Sequence, residues 1–139
     1  MTAKPVQSTP RPTLSSTEAQ LFVADIKTSC AFYTDKLGFT LSLTYGDPPF
    51  YAQVVRDQAR LNLRVVGEPV FAGNVRQREQ LLSATLTLAA TDELQQLFST
   101  YQAAEVPFQQ TLRKEPWGAS TFVIQDPDRN LILFAAPAD

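Results

Sequence analysis

The chain has 139 residues, which suits one domain or two small halves sharing a core. Apolar residues make up 44% and charged residues 19%, a composition that excludes wholesale disorder. Twelve basic and fourteen acidic residues leave a formal net charge of −2, so there is no basic surplus to neutralise nucleic-acid phosphates, and no apolar run is long enough to span a bilayer.

Residues 1–17 (MTAKPVQSTPRPTLSST) hold three prolines, many hydroxyls and few core-forming residues, and are expected to form a flexible or extended arm. The apolar run AQLFVA over 19–24 predicts a buried strand. Asp25 can then cap a helix with Ile26, Cys30, Tyr33 and Leu37 at helical spacing, ended by Gly38. Alternation over 39–45 (FTLSLTY) predicts a strand that Gly46-Asp47-Pro48-Pro49 breaks. Two more strands, 51–56 and 59–66, flank a turn at Asp57-Gln58. Residues 67–80 contain Gly67, Pro69, Gly73 and Asn74 and predict a linker, its charged end Arg76-Gln77-Arg78-Glu79 a solvated face.

The same order then recurs. Residues 83–89 alternate as a strand, Thr91-Asp92 starts a helix with Leu94, Leu97, Phe98 and Tyr101 on its stripe, and 106–113 predicts another strand. The last stretch, 115–137 (EPWGASTFVIQDPDRNLILFAAP), holds two strands around Asp126-Pro127-Asp128-Arg129-Asn130. Asp and Asn side chains there can bond nearby backbone while proline presets φ. Two β-α-β-β-β units, each roughly fifty residues, form an internal repeat. One half alone leaves a sheet face uncovered, so the predicted fold is α+β, with two βαβββ repeats pairing into curved sheets around a cleft and helices outside. The expected organisation is a single domain over 18–137, with repeats at 18–66 and 82–137 joined by the linker 67–81.

The chemistry-bearing inventory is thin. The absence of histidine removes the commonest metal ligand and general base. No serine sits in a G-x-S-x-G setting, and no Gly-rich phosphate loop appears. Cys30, the single cysteine, reads as a buried thiol rather than a nucleophile. No catalytic residue and no cofactor are therefore assigned. Without a long apolar leader, a cytoplasmic location is the expectation. Arg56 and Arg64 read as strand-surface charges, and Arg113-Lys114-Glu115 as a solvated rim.

The run DIKTSCAFYTDKLGF (25–39), the repeated order and DPDRNLILF (126–134) together resemble the glyoxalase/bleomycin-resistance group, the vicinal oxygen chelate superfamily. EPWG (115–118) and YAQVVRD (51–57) are similar to segments of its bleomycin-resistance branch. That resemblance implies a homodimer, often with exchanged N-terminal arms, whose grooves lie at the subunit interface. It also implies that Tyr51 and Trp117 contact the flat part of a drug-like ligand; Phe50 and Phe122 are weaker candidates beside them, and local carboxylates such as Asp47 or Asp57 could line the groove. The side chain of Phe122 is left open between core and cleft.

Matched by motif, the metal-ligand positions of metal-dependent relatives fall at Glu18, about Leu63, Ser83 and Leu133. Only Glu18 is a good donor, so no metal is expected. The leading expectation is a protein that sequesters a planar, antibiotic-like small molecule, with a cationic ligand among the options, conferring resistance by removal rather than turnover. Two other readings stay open: a metal-independent or degenerate enzyme of lyase, isomerase or dioxygenase type, and a structural or regulatory dimer module.

Overall fold

The computed structural model describes residues 10–70 and 73–138. The expected arm lies partly outside them; its residues 10–17 have no regular structure and are exposed, and Phe71 and Ala72 of the expected linker also fall outside. The first repeat comprises β1 (Ala19–Val23), α1 (Ile26–Ala31), a π-helical turn (Phe32–Lys36), β2 (Thr40–Gly46), β3 (Pro49–Arg56) and β4 (Ala59–Val65). A short α2 (Val75–Arg78) intervenes. The second repeat comprises β5 (Leu82–Thr87), α3 (Thr91–Ala103), β6 (Phe108–Lys114), β7 (Ser120–Gln125) and β8 (Leu131–Ala136).

Each repeat builds one four-stranded sheet, ordered β1-β4-β3-β2 and β5-β8-β7-β6. In both, the first strand runs parallel to the last and the other pairs are antiparallel. This is the predicted α+β architecture with the two copies matched strand for strand.

The helices start and stop for local reasons. Asp25 Oδ1 accepts from the backbone N–H of Lys27 and Thr28, capping α1. The helix is closed by Phe39 N–H donating to the Tyr33 carbonyl at 2.9 Å, which delays β2 to Thr40. Gly38 takes φ +78° at this exit, where a Cβ would lie 2.8 Å from Arg56 Nη1. Val106 N–H closes α3 onto Tyr101 in the same way, so β6 begins two residues later than alternation alone predicts.

Strand alternation assigns one face of each sheet to its helix. Leu21, Val23, Ala52, Val54, Leu61 and Leu63 lie under the first helix, and Phe122, Ile124, Ile132, Phe134 and Ala136 under α3 with Leu94 and Tyr101. Burying one such Leu or Phe stabilises by about 1.5–3 kcal/mol. Cys30 is half-buried at the edge of this core, and burial raises its thiol pKa.

The two halves are bolted together by the turn between β7 and β8. Asp126 accepts from Asp128 N and Asn130 N at Oδ1, and from Asn130 Nδ2 and Tyr33 OH at Oδ2. Asn130 Nδ2 also donates to the Phe22 carbonyl, and Ala24 N–H donates to Asp128 Oδ1. Tyr33, Phe22 and Ala24 belong to the first repeat, so a turn that looks local in sequence is the seam of the fold.

Three side chains depart from the surface roles expected of them. Arg76 is half-buried and donates through Nη1 to Asn130 Oδ1 at 2.7 Å, so the end of the linker is docked rather than solvated. Arg56 Nη1 donates to the Leu37 carbonyl at 2.7 Å and sits 3.4 Å from Tyr101 OH, serving the end of the first helical segment. Glu115 is buried, accepting from Arg113 Nε at 2.7 Å and Thr121 Oγ1 at 2.8 Å. For Arg56 and Arg76 a residue distant in sequence supplies the partner, whereas Glu115 is held by near neighbours on either side of the β6–β7 turn.

Candidate ligand-binding site

The face of the first sheet turned away from α1 is only thinly covered. Register places Tyr45, Tyr51, Arg64 and Phe22 side by side across four strands, and Leu43, Gln53, Asn62 and Gln20 in the neighbouring row. Every residue of β2 is exposed, with Tyr45 at 68% and Leu43 at 46%, while Tyr51 and Phe22 are half-buried. An apolar edge strand of this kind presents both unpaired backbone groups and side-chain surface.

Phe50 is 47% exposed at the start of β3 and meets Tyr45 edge-on, with ring centroids 5.6 Å apart. Asp47 lies exposed in the connecting turn. Tyr51, Phe50 and Asp47 are therefore gathered at one end of the first sheet.

Trp117 is on the other sheet, in the β6–β7 turn. Gly118 N–H bonds to the Glu115 carbonyl at 2.9 Å and Gly118 adopts φ +99°, which throws the indole outward at 73% exposure. Beneath it, the Arg113 guanidinium and the Thr121 hydroxyl hold the Glu115 carboxyl below its usual range. Trp117 joins no ring pair among the described residues. Within one chain, then, Trp117 and Tyr51 belong to separate sheets.

Phe122 is a core residue. It has no exposed surface, stacks on Phe134 at 5.0 Å and packs against Phe98, Tyr101 and Phe108 under α3. Alternation from the buried Ile124 directs it to the helix side, away from any ligand on the open face.

The positions where metal-dependent relatives carry ligands resolve differently from the motif match. Leu63 is fully buried on the helix side, and the neighbouring Asn62 faces the open side. Glu18 Oε1 accepts from Asn62 Nδ2 at 2.9 Å and Gln53 Nε2 at 3.2 Å, and Gln53 also donates to Asn62 Oδ1. On the second sheet the corresponding row is Thr85, Leu133, Val123 and Gln110. Ser83 donates to Asn130 Oδ1. This donor set, one carboxylate already engaged by two amides and a leucine where a fourth donor is needed, does not fit a tightly held divalent ion.

Among the described residues, the larger grooves lie away from Tyr51 and Trp117. One of about 420 Å³ is lined by Phe22, Val66, Pro69, Arg76 and Asp128; another of about 550 Å³ sits between Arg56, Gln58, Leu97, Tyr101 and Phe134 on the helix side. Neither includes Tyr51 or Trp117. Around those two aromatics a single chain offers open sheet faces rather than an enclosed cavity.

Sequence reasoning passed over Tyr45, Asn62 and Arg64 as neighbours of Tyr51. Alternation in FTLSLTY was the available signal for Leu43 and Tyr45, but which residues stand beside them depends on strand register.

A family model described as the Glyoxalase/Bleomycin resistance protein/Dioxygenase superfamily matches residues 15–134. No curated protein matches the chain significantly. Solved structures that share the fold include a glyoxalase/bleomycin resistance protein/dioxygenase from Alicyclobacillus acidocaldarius, at 18% identity and TM-score 0.70, covering 88% of this chain and 91% of that one. A lactoylglutathione lyase from Agrobacterium tumefaciens shows 19% identity and TM-score 0.69, covering 91% and 96%. The bleomycin-binding protein of bleomycin-producing Streptomyces verticillus, complexed with copper(II)-bleomycin, shows 21% identity and TM-score 0.67, covering 91% and 99%. Identities this low speak to architecture, and the architecture agrees with the family model over most of the chain. The chain belongs to the glyoxalase/bleomycin resistance protein/dioxygenase superfamily.

Proposed function

We propose that this protein binds and sequesters a planar, antibiotic-like small molecule in a groove formed between two copies of the chain. The reading rests on one observation above the rest: Tyr45 and Tyr51 stand side by side on an open sheet face, with Phe50 edge-on to Tyr45 at the strand's start, while Trp117 stands exposed on the other sheet. Facing the first sheet of one copy with the second sheet of another would bring an indole over that cluster and enclose what a single chain leaves open. Aromatic faces stack on flat ligands, and water excluded from such a groove favours binding without any covalent step. A fold shared with a bleomycin-binding protein supports the mode of binding.

Because Trp117 is the only tryptophan, its fluorescence reports the site directly. Titration with a panel of planar antibiotics is expected to quench and shift the emission. Tyr51→Ala is expected to weaken binding about tenfold by calorimetry, roughly the 1–1.5 kcal/mol of an aromatic pair. An unresponsive indole across the panel, with no heat of binding, would sink the proposal.

A further inference from the structure

The open faces also say what kind of ligand belongs there. Arg113 is tied to Glu115 at 2.7 Å, and Arg56 is turned to the helix side by its bond to Leu37. Arg60 pairs with Val55 near the start of β4, four residues before Arg64 and away from the aromatic row. Arg64 differs from all three. It is exposed, it lies directly between Tyr51 and Phe22 in the aromatic row, and it makes no hydrogen bond or ion pair among the described residues. Its neighbours on that face, Gln53, Gln20 and Asn62, carry no charge, and the nearby Glu18 carboxylate is engaged by the Asn62 and Gln53 amides rather than by Arg64.

A cation flanked by two rings and without a counter-ion is poised for a ligand that brings one. We infer that the ligand is a planar aromatic anion whose carboxylate pairs with Arg64 while its ring system lies over Tyr51. This rests on the binding reading above and narrows it to a chemical class. A guanidinium offers two parallel N–H donors to a carboxylate, and the adjoining rings shield that pair from water. The same guanidinium would repel a cationic drug placed on Tyr51. Asp47 does not reverse this, because it lies in the turn outside the row.

Three compounds of nearly one shape test the inference by calorimetry: anthraquinone-2-carboxylate, anthraquinone-2-carboxamide and 2-(aminomethyl)anthraquinone. On the unaltered protein the carboxylate is expected to bind at least tenfold more tightly than the amide, and the ammonium most weakly. Arg64→Gln should erase the carboxylate's advantage while leaving the amide unchanged, and Arg64→Lys should restore part of it. Tyr51→Ala should weaken all three. Equal binding of carboxylate and amide, preference for the ammonium, or a preference that survives Arg64→Gln overturns the inference and leaves the binding reading standing. Failure of all three to bind removes stacking on Tyr51, and the inference with it.

Discussion

Ser29 is fully buried beneath the first helix, and its hydroxyl has no hydrogen-bond partner among the described residues. An unserved hydroxyl in the core carries a desolvation penalty, so Ser29→Ala is expected to raise stability by about 1 kcal/mol in a urea titration. Two tyrosines make the opposite kind of demand. Burial pushes Tyr101 up to about 12, with Arg56 opposing, and burial together with the Asp126 carboxylate pushes Tyr33 well above its usual range. A raised folded pKa means that the unfolded chain releases its proton first. Stability is therefore intact below about pH 10 and falls as pH climbs from about 10 to about 12. Absorbance of tyrosinate is expected to rise together with loss of the circular dichroism signal over that window. Ionisation of all four tyrosines well before unfolding would contradict the burial of Tyr33 and Tyr101.

At the scale of elements, the β7–β8 turn has more work than reversing the chain. Asp126 is the receiver of four donors, one of them from the first repeat. Burial raises its pKa, while the bonds from Asn130 and Tyr33 pull it back down. In Asp126→Asn, an amide nitrogen replaces an oxygen at which two donors are aimed, and an expected loss of about 2–4 kcal/mol follows. Tyr33→Phe removes a single donor and should cost about 1–1.5 kcal/mol. Equal, small effects of the two changes in thermal melts would show that the turn does not join the repeats. The turn itself was legible from Asp, Pro and Asn spacing. Its reach to Tyr33 and Phe22 was not, because those partners lie about a hundred residues away.

For the whole molecule, the exposed Leu43 and Tyr45 on an edge strand are surface that association would cover. The proposed groove needs two copies, so light scattering is expected to return twice the chain mass, and Leu43→Asp is expected to give a folded monomer that no longer binds the ligand. A monomeric parent protein at micromolar concentration would remove the interface groove. The Glu18–Asn62–Gln53 cluster sits on the same face, and its closed hydrogen bonding is consistent with a polar floor beside the aromatic row.

Hydrophobic periodicity and turn chemistry by themselves determined the order of the strands and of the first and last helices, the repeat and the stripe of α3, because those depend on neighbours within a few residues; α2 fell in a stretch read as a linker. Motif spacing added the superfamily and pointed to Tyr51 and Trp117. Only the tertiary structure decided that Phe122 faces the core, that Asn62 rather than Leu63 occupies the open side, and that Arg64 stands beside Tyr51. A one-residue change in strand phase moves a side chain to the opposite face, and register is set by pairing between distant segments. For the same reason Arg56 and Arg76 read as surface charges in the sequence and proved to be anchored by partners that only folding brings near.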